Sequence, residues 1–308
     1  MSETPTYAPI AIFAYDRLDD FEKMFSALKL CSGFDKSPIT IFLDGPKDEA
    51  AKPRVEKVRQ CARAIDLANV SLVEREANMG LKASIYDGVS KICKEHGRVI
   101  VLEDDLVVSP CVLEYFNQGL EKYKEEKRVW SIVGYQYDAP GLRGYDKALV
   151  LPFAHCWGWA TWDRAWEQFD INAKIYERDL KSRAFRKFFD LDGVQTFADM
   201  LGLAKQGKIN SWFIRWYYKV FNEGGVSIFP PVSYVENVGL KGGGTHSSYL
   251  NPYRLLMSPS ELSKALVHFP EELDVDYWAI DKIRVSKDAR VQKMIAVLGK
   301  IKRIIKGK

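Results

Sequence analysis

The sequence predicts an α/β protein in which helices flank a mostly parallel, Rossmann-like sheet. Two observations lead to this prediction. Short apolar segments alternate with longer segments of helical periodicity over the first hundred residues, and this alternation is typical of a parallel sheet covered on both faces. Polar residues also follow directly after several apolar segments. Ligands bind at that edge of such sheets, so the sequence predicts a binding site there.

The apolar segments are expected to be buried strands, and the segments between them carry apolar residues at helical spacing. The predicted strands of the first half are residues 10–14, 39–43, 70–73 and 99–102. The predicted helices between them are residues 18–30, 50–67 and 82–94. Beyond residue 130, strands are expected at 149–151 and 226–229, with helices at 161–169, 182–189, 194–205 and 211–222.

The composition is ordinary for a globular protein, with 47% hydrophobic and 28% charged residues among 308. Five scattered cysteines show no metal-binding spacing, which indicates reduced thiols and an intracellular compartment. The polar start of the chain predicts no signal peptide, and no uninterrupted apolar segment is long enough to span a bilayer. We therefore expect a cytoplasmic protein.

The positive charge is concentrated at the end of the chain. Six basic residues and no acid lie beyond residue 290, and subtracting them from the net charge of +4 leaves −2 for the remainder. A near-neutral body argues against nucleic-acid binding, which requires a basic face on the fold. Apolar residues recur at three- and four-residue steps within 291–308, which predicts a basic amphipathic helix. Such a helix would contact the inner face of an anionic membrane, or alternatively pack on the protein body.

Three adjacent acids, Glu103, Asp104 and Asp105, follow the predicted strand 99–102. Adjacent carboxylates repel one another unless a cation or strong hydrogen-bond donors compensate. Oxygen ligands at a cleft suit Mg²⁺ or Mn²⁺, which bridge to substrate phosphates. The alternative is that the acids cap a helix beginning near Pro110. The buried strand immediately before them favours the metal.

These motifs resemble those of a known class of enzymes. A strand ending in Glu-Asp-Asp resembles the Asp-x-Asp-type motif of glycosyltransferases with the A-type fold, a single nucleotide-binding α/β domain. Residues 78–84, Asn-Met-Gly-Leu-Lys-Ala-Ser, resemble the family's Asn-x-Gly segment that opens the helix before the metal strand. Residues 231–246 are similar to the closing segment of N-acetylglucosaminyltransferase I. Residues 157–162, Trp-Gly-Trp-Ala-Thr-Trp, resemble a signature of bacterial polysaccharide-cluster sugar transferases.

The resemblance covers residues 10–249 and implies a division of labour along the chain. Residues 1–130 would bind the nucleotide sugar, and residues 131–255 would bind the acceptor and catalyse. Residues 256–308 would form a C-terminal extension. The implied activity is a metal-dependent, inverting transfer of a hexosyl or N-acetylhexosaminyl group. The expected donor is a uridine diphosphate sugar, and the expected acceptor is a glycan or a lipid-linked saccharide.

The resemblance also implies roles for individual residues. Asp105 would bind the metal directly, while Glu103 and Asp104 would hold the ribose or metal-bound water. His246 follows three glycines and would reach the metal or the diphosphate. The rest of the nucleotide pocket would consist of Tyr15, Arg17, Asp44, Asn78 and Lys82. In the alternative interpretation Arg17 and Lys82 are solvated surface charges, and Asp44 simply begins a turn.

The catalytic base is the least defined part of the predicted site. Inversion needs a carboxylate that deprotonates the acceptor hydroxyl. N-acetylglucosaminyltransferase I has an Asp after a Trp at the place that matches residues 212–216, which contain no carboxylate. The Trp-Gly-Trp loop of β-1,4-galactosyltransferases instead resembles residues 157–163, which makes Asp163 the base. The alternatives are an acid that only favours a helix N-terminus, and a retaining reaction.

Two further roles complete the prediction. Arg215 would stabilise the departing diphosphate, as cations do for developing phosphate charge. Three indoles would bind the acceptor sugar by stacking: those of Trp157, Trp159 and Trp212.

Two other classes of protein stay open at this point. A sugar nucleotidyltransferase also has an α/β fold and acidic metal ligands, but it needs a glycine-rich loop after the first strand, and residues 12–17 contain no glycine. A non-catalytic glycan-binding protein would explain the aromatic residues but not the three acids.

Overall fold

The computed structural model describes residues 7–142, 144–193, 195–239 and 267–287, which contain ten strands and ten α-helices. The strands are β1 Ile10–Ala14, β2 Ile39–Leu43, β3 Val70–Glu74, β4 Arg98–Glu103, β5 Leu106–Val108, β6 Val129–Val133, β7 Leu149–Leu151, β8 Trp159–Trp162, β9 Val226–Phe229 and β10 Val235–Asn237. The helices are α1 Leu18–Lys29, α2 Lys52–Arg63, α3 Gly80–His96, α4 Val112–Lys122, α5 Asp163–Trp166, α6 Glu177–Lys181, α7 Arg183–Phe189, α8 Phe197–Lys205, α9 Trp212–Asn222 and α10 Tyr277–Lys287.

Eight strands form the central sheet, in the order β3-β2-β1-β4-β8-β6-β9-β7. The first four are mutually parallel, β6 and β9 are parallel, and β8 runs antiparallel to both β4 and β6. β7 runs antiparallel to β9. Six of the eight strands therefore end at one edge, which we call the carboxyl edge and which is marked by Ala14, Leu43, Glu103 and Val133. The predicted α/β fold with a mostly parallel sheet is confirmed.

Helices cover both faces of the sheet because its strands are apolar on both sides. Every residue of β1 and β6 is buried. One core lies under α3, α5 and α9, and the other lies under α1, α2 and α4. Each fully buried aliphatic or aromatic side chain stabilises the fold by about 1.5–3 kcal/mol. The strands consequently have little freedom to move, and they hold the loops at the carboxyl edge in place.

The predicted elements of the first half are confirmed, with small shifts at the helix ends. The predicted helix at 161–169 is wrong in its first part, because Thr161 and Trp162 belong to β8. This strand pairs with β4 on one side and with β6 on the other, so its backbone N–H and C=O groups form hydrogen bonds within the sheet and not within a helix. Only the short helix α5 follows it. The predicted boundaries at residues 130 and 255 stay predictions.

A two-stranded antiparallel ribbon lies beside the carboxyl edge. It pairs β10 with β5, so that Asn237 stands opposite Leu106, and the Val238 N–H donates to the Asp105 carbonyl oxygen at 2.8 Å. The ribbon therefore holds the segment before residue 240 directly against the acidic end of β4. Within the described residues, no helix combines the length and the apolar character that crossing a membrane requires. The predicted helix within 291–308 lies outside the described residues.

Candidate functional site

A cleft of about 370 Å³ opens at the carboxyl edge of the sheet. Its walls come from the segments after β1, β2 and β4 and from the first turn of α3. The polar residues that line it are Tyr15, Asp16, Arg17, Asp44, Lys47, Asn78, Ser84, Glu103 and Asp104. This volume lies within the usual range for small-molecule sites. Six of the residues assigned to the nucleotide pocket from sequence are thus brought together by the fold.

Arg17 bridges two of the three acids. Its Nη1 donates to Asp105 Oδ2 at 2.7 Å, and its Nη2 donates to Asp104 Oδ1. The backbone N–H of Tyr15 donates to the other oxygen of Asp104 at 3.1 Å. Asp104 and Asp105 are 2% and 8% exposed, and Asp105 Oδ1 is buried without a hydrogen-bond donor among the described residues. One carboxylate oxygen of Asp105 is therefore left without a hydrogen-bond partner in the described part of the chain.

Burial and mutual repulsion make it costly for all three acids of this cluster to be charged at once. Burial raises the pKa of Asp104 to about 7, against the opposing effect of Arg17. Burial and the neighbouring carboxylates of Asp105 and Asp104 also raise the pKa of Glu103. Burial disfavours the charge of Arg17, but the three acids together raise the pKa of its guanidinium. The fold thus disfavours a negative charge on Glu103 and Asp104, and a bound cation would favour the charged forms of both acids.

The donor set fits a divalent cation that also binds substrate. Within the described ranges, no group of three or more His, Cys, Asp or Glu side chains is arranged to hold a metal ion by itself. Mg²⁺ at nucleotide sites needs only one or two carboxylates, because waters and phosphate oxygens supply the other ligands. The buried, unpartnered Oδ1 of Asp105 is an oxygen of this kind. His246, the second predicted metal ligand, lies outside the described residues.

Asp44 organises the opposite wall of the cleft. Its Oδ1 accepts from the backbone N–H groups of Gly45 and Met79, both at 2.9 Å. Its Oδ2 accepts from Gly80 N at 2.9 Å and from the Asn78 amide at 3.1 Å. These four hydrogen bonds use the acceptor capacity of the carboxylate. Asp44 thus fixes the start of α3, and we revise its predicted contact with the ribose to a positioning role.

Asn78 and Lys47 complete that wall. The Asn78 amide also donates to the Gly45 carbonyl oxygen at 2.7 Å, and the backbone N–H of Lys47 donates to the Tyr15 hydroxyl at 3.1 Å. The first contact joins the segment after β3 to the segment after β2, and the second joins the segment after β2 to the segment after β1. Lys47 was not predicted as a site residue. The signal for it was its place three residues after Asp44, just beyond the end of a strand.

Gly239 is a second residue that the sequence prediction missed. A Cβ at this position would lie 2.6 Å from both Arg17 Nη1 and Asp105 Oδ2. No side chain fits there without disturbing the contact between the guanidinium and the carboxylate. The sequence pattern of the closing segment, residues 231–246, gives no indication that this glycine lies against the acids.

The predicted acceptor indoles separate into two groups. Trp159 and Trp212 are 1% and 3% exposed and stack on each other with ring centroids 5.2 Å apart. They belong to the core under α9, so we no longer assign them to an acceptor site. Trp157 is partly exposed and lies at the carboxyl edge, next to Tyr135 and His155 at centroid distances of 4.7 and 5.2 Å. Of the three, only Trp157 is placed to meet a ligand.

Asp163 lies at the wrong edge of the sheet to act as the base. Trp162 pairs with Arg98 at the start of β4, and the Asp163 N–H donates to the Gly97 carbonyl oxygen at 2.9 Å. Five residue steps separate Arg98 from Glu103, which is about 17 Å along a strand. Because β8 runs antiparallel to β4, the end of β8 and the acids that follow β4 lie at opposite edges of the sheet. The assignment of Asp163 as catalytic base is therefore withdrawn.

The chain was compared with known proteins. No protein-family model and no curated protein sequence matches it. Among solved structures it is similar to the mannosyltransferase PcManGT from Pyrobaculum calidifontis in complex with GDP-Man and Mn²⁺. The TM-score is 0.39 and the sequence identity is 12%, over 73% of this chain and 71% of that chain. A likeness of this degree says nothing about the substrate of the present chain.

Proposed function

We propose that this protein is a metal-dependent glycosyltransferase that takes its sugar from a nucleotide diphosphate donor. One observation carries the proposal: Asp105, at the carboxyl edge of a mostly parallel sheet, keeps a buried and unpartnered oxygen beside a cleft of nucleotide-binding size. A site for a diphosphate and a divalent cation needs this combination of a hard oxygen ligand and an adjoining cavity.

The residues around the cleft would have different roles in donor binding. Asp105, with Glu103 beside it, would hold the cation, which would neutralise the charge that develops on the departing diphosphate. Tyr15 fixes Asp104 through its N–H group, and Arg17 holds Asp104 and Asp105 in one orientation. Uridine is the nucleoside that we expect.

On the acceptor side, Trp157 offers a partly exposed indole for a sugar ring of a glycan or lipid-linked saccharide. Glu236 replaces Asp163 as our candidate base for an inverting reaction. In the ribbon it stands opposite Val107, two residues after Asp105. The N–H of Val238, two residues after Glu236, donates to the Asp105 carbonyl oxygen at 2.8 Å. The ribbon therefore keeps Glu236 close in space to the segment that carries the acids.

A binding experiment separates the proposed function from its alternatives. UDP and GDP are added to the protein with Mn²⁺ or with EDTA, and the melting temperature is measured. We expect at least one nucleotide to stabilise the protein only when Mn²⁺ is present, because ligands that bind the folded state raise its stability. Release of free sugar from the matching nucleotide sugar then shows cleavage of the bond between the sugar and the diphosphate, which neither a nucleotidyltransferase nor a glycan-binding protein catalyses. Stabilisation by neither nucleotide, with stabilisation by oligosaccharides alone, would instead support a glycan-binding protein.

Residues 291–308 are proposed to bring the protein to the surface of an anionic membrane. The experiment compares full-length protein with a variant carrying Lys300→Glu and Arg303→Glu, by sedimentation with vesicles that contain anionic lipid. The wild type should sediment and the variant should stay in solution, since each basic residue near such a surface contributes about 1 kcal/mol. Equal sedimentation of both proteins would contradict the proposal.

A further inference from the structure

A second cavity, of about 520 Å³, lies at the edge of the sheet opposite to the carboxyl edge. Its walls include Val226 at the start of β9, Arg128 directly before β6, and Pro152 directly after the antiparallel strand β7. Among the described residues, it has no lining residue in common with the cleft at the carboxyl edge. Its volume is within the usual range for small-molecule sites. The second cavity is therefore a separate candidate binding site.

Two aromatic rings that line the second cavity are largely in contact with solvent. Phe188 of α7 and Tyr277 of α10 are 62% and 64% exposed, whereas the neighbouring Phe189 is fully buried in the core. Aromatic side chains gain most when their large apolar surface is covered. Two exposed rings from different helices at one cavity therefore favour a ligand that has apolar faces.

The charged residues that line the second cavity carry both signs. In the described part of the chain they are two cations, Arg128 and Lys187, and two acids, Asp192 and Asp281. Arg284 links the acids, because it forms an ion pair with Asp192 and donates to Asp281 Oδ1 at 2.9 Å. Since neither sign accumulates, an ionic ligand gains little here. Charged groups nevertheless form strong hydrogen bonds with neutral hydroxyl groups.

Asp192 is held at the second cavity by a strained turn. Leu191 and Asp192 have φ angles of 52° and 55°, in the left-handed region that residues other than glycine rarely adopt. The Asp192 N–H donates to the Lys187 carbonyl oxygen at 2.7 Å, and the Leu191 side chain is buried in the core. Strained conformations of this kind cluster at ligand sites. The turn thus adds a second observation that points to a ligand.

We propose that the second cavity binds a neutral oligosaccharide. A sugar ring has apolar C–H faces, which would stack on Phe188 and Tyr277, and hydroxyl groups, which would hydrogen-bond to Asp192 and Asp281. An alkyl chain would cover the charged groups without pairing them, which is costly. Four residue steps of β6, about 13 Å, separate this edge from the carboxyl edge. The bound oligosaccharide would be a distant part of the acceptor glycan, and only this last role rests on the proposed function.

The proposal is tested with neutral tetrasaccharides of glucose, mannose, galactose and N-acetylglucosamine, titrated by calorimetry without nucleotide or metal. The wild type should bind at least one of them, and Phe188→Ala and Tyr277→Ala should each lose roughly tenfold in affinity. Both rings are largely exposed, so both variants should fold, which thermal melts check. Tyr176→Ala is the matched control, because it removes an exposed tyrosine that does not line the second cavity. Its affinity should equal that of the wild type.

Three results would overturn the inference. They are binding of no tetrasaccharide by the wild type, equal affinity in the wild type, Phe188→Ala and Tyr277→Ala, and a loss of affinity confined to Trp157→Ala. Binding of 1-octanol but of no tetrasaccharide, lost in Phe188→Ala and Tyr277→Ala, would identify an apolar ligand instead. Failure of the wild type to bind any nucleotide, with intact tetrasaccharide binding at the second cavity, would contradict the proposed function but not this inference.

Discussion

Arg17 and Asp105 are joined by a hydrogen bond of 2.7 Å between Nη1 and Oδ2, and the same guanidinium also binds Asp104. These residues come from the segments after two adjacent parallel strands, β1 and β4. Arg17 is the cation that balances the acids when no metal is bound. Its side chain is 42% exposed, so it shares this task with solvent.

Replacing Arg17 with Ala should destabilise the protein more without metal than with it. The loss in free energy of unfolding should be about 1–2 kcal/mol in EDTA, since the exposure of Arg17 reduces the cost of leaving the acids unpaired. Mn²⁺ should restore part of that free energy, because the bound cation would balance the charge of the acids in place of Arg17. Urea unfolding of wild type and variant, each with EDTA and with Mn²⁺, measures both effects. An identical loss in the two conditions would show that the cation does not bind at these acids.

Replacing Gly239 with Ala should weaken metal-dependent nucleotide binding, because the added methyl group would collide with Arg17 and Asp105. We expect roughly a tenfold loss in affinity, measured by calorimetry in Mn²⁺. Gly202→Ala is the control: this glycine lies within α8 and a Cβ there meets no atom within 4 Å. It should stabilise the protein by about 0.5–1 kcal/mol and leave binding unchanged. Equal affinities in the two variants would contradict the proposed role of Gly239.

Asp44→Asn should lower stability and donor affinity together. An amide in place of one oxygen cannot accept from the backbone donors that Asp44 now satisfies, which should cost about 2–3 kcal/mol of unfolding free energy. The start of α3 would move, and the wall of the cleft would move with it. Chemical denaturation and nucleotide titration provide the two measurements. Unchanged stability with weakened nucleotide binding would instead indicate that Asp44 contacts the ribose directly.

The two indoles on either side of Gly158 should respond differently to removal. Trp159→Ala should cost about 3–5 kcal/mol of unfolding free energy, because its ring is buried in the core. Trp157→Ala should cost only about 1–2 kcal/mol, since its ring is partly exposed. The rate of sugar transfer to the acceptor should nevertheless fall in Trp157→Ala, because the proposed contact with the acceptor sugar is lost. Denaturant unfolding measures the stabilities, and similar losses for the two variants would contradict their different placement.

Much of this architecture could be predicted from the local pattern of the chain. The strands before Tyr15, Asp44 and Glu103 were recognisable because apolar runs end where polar residues begin. Parallel pairing then brings those polar ends to one edge. The position of Asp163 could not be predicted in this way, because it depends on β8 running antiparallel to β4, which no local pattern reveals.

The role of Asp44 was likewise hidden in the sequence. Its residue type fits both a ribose contact and a helix-positioning carboxylate, and only its four hydrogen bonds distinguish between them. Trp159 and Trp157 have the same side chain and stand two residues apart, yet one is core and the other is partly exposed. Burial depends on tertiary packing, and the Trp-Gly-Trp motif contains no information on it.

The central claim is that Asp105 provides the oxygen through which a divalent cation and a nucleotide diphosphate are held. Calorimetric titration of UDP and GDP into wild-type protein and Asp105→Asn, each with Mn²⁺ and with EDTA, tests it directly. We predict Mn²⁺-dependent binding by the wild type and at least a roughly tenfold loss in Asp105→Asn, whose melting temperature should show it to be folded. Binding that is independent of Mn²⁺, or equally tight in Asp105→Asn, would contradict the claim.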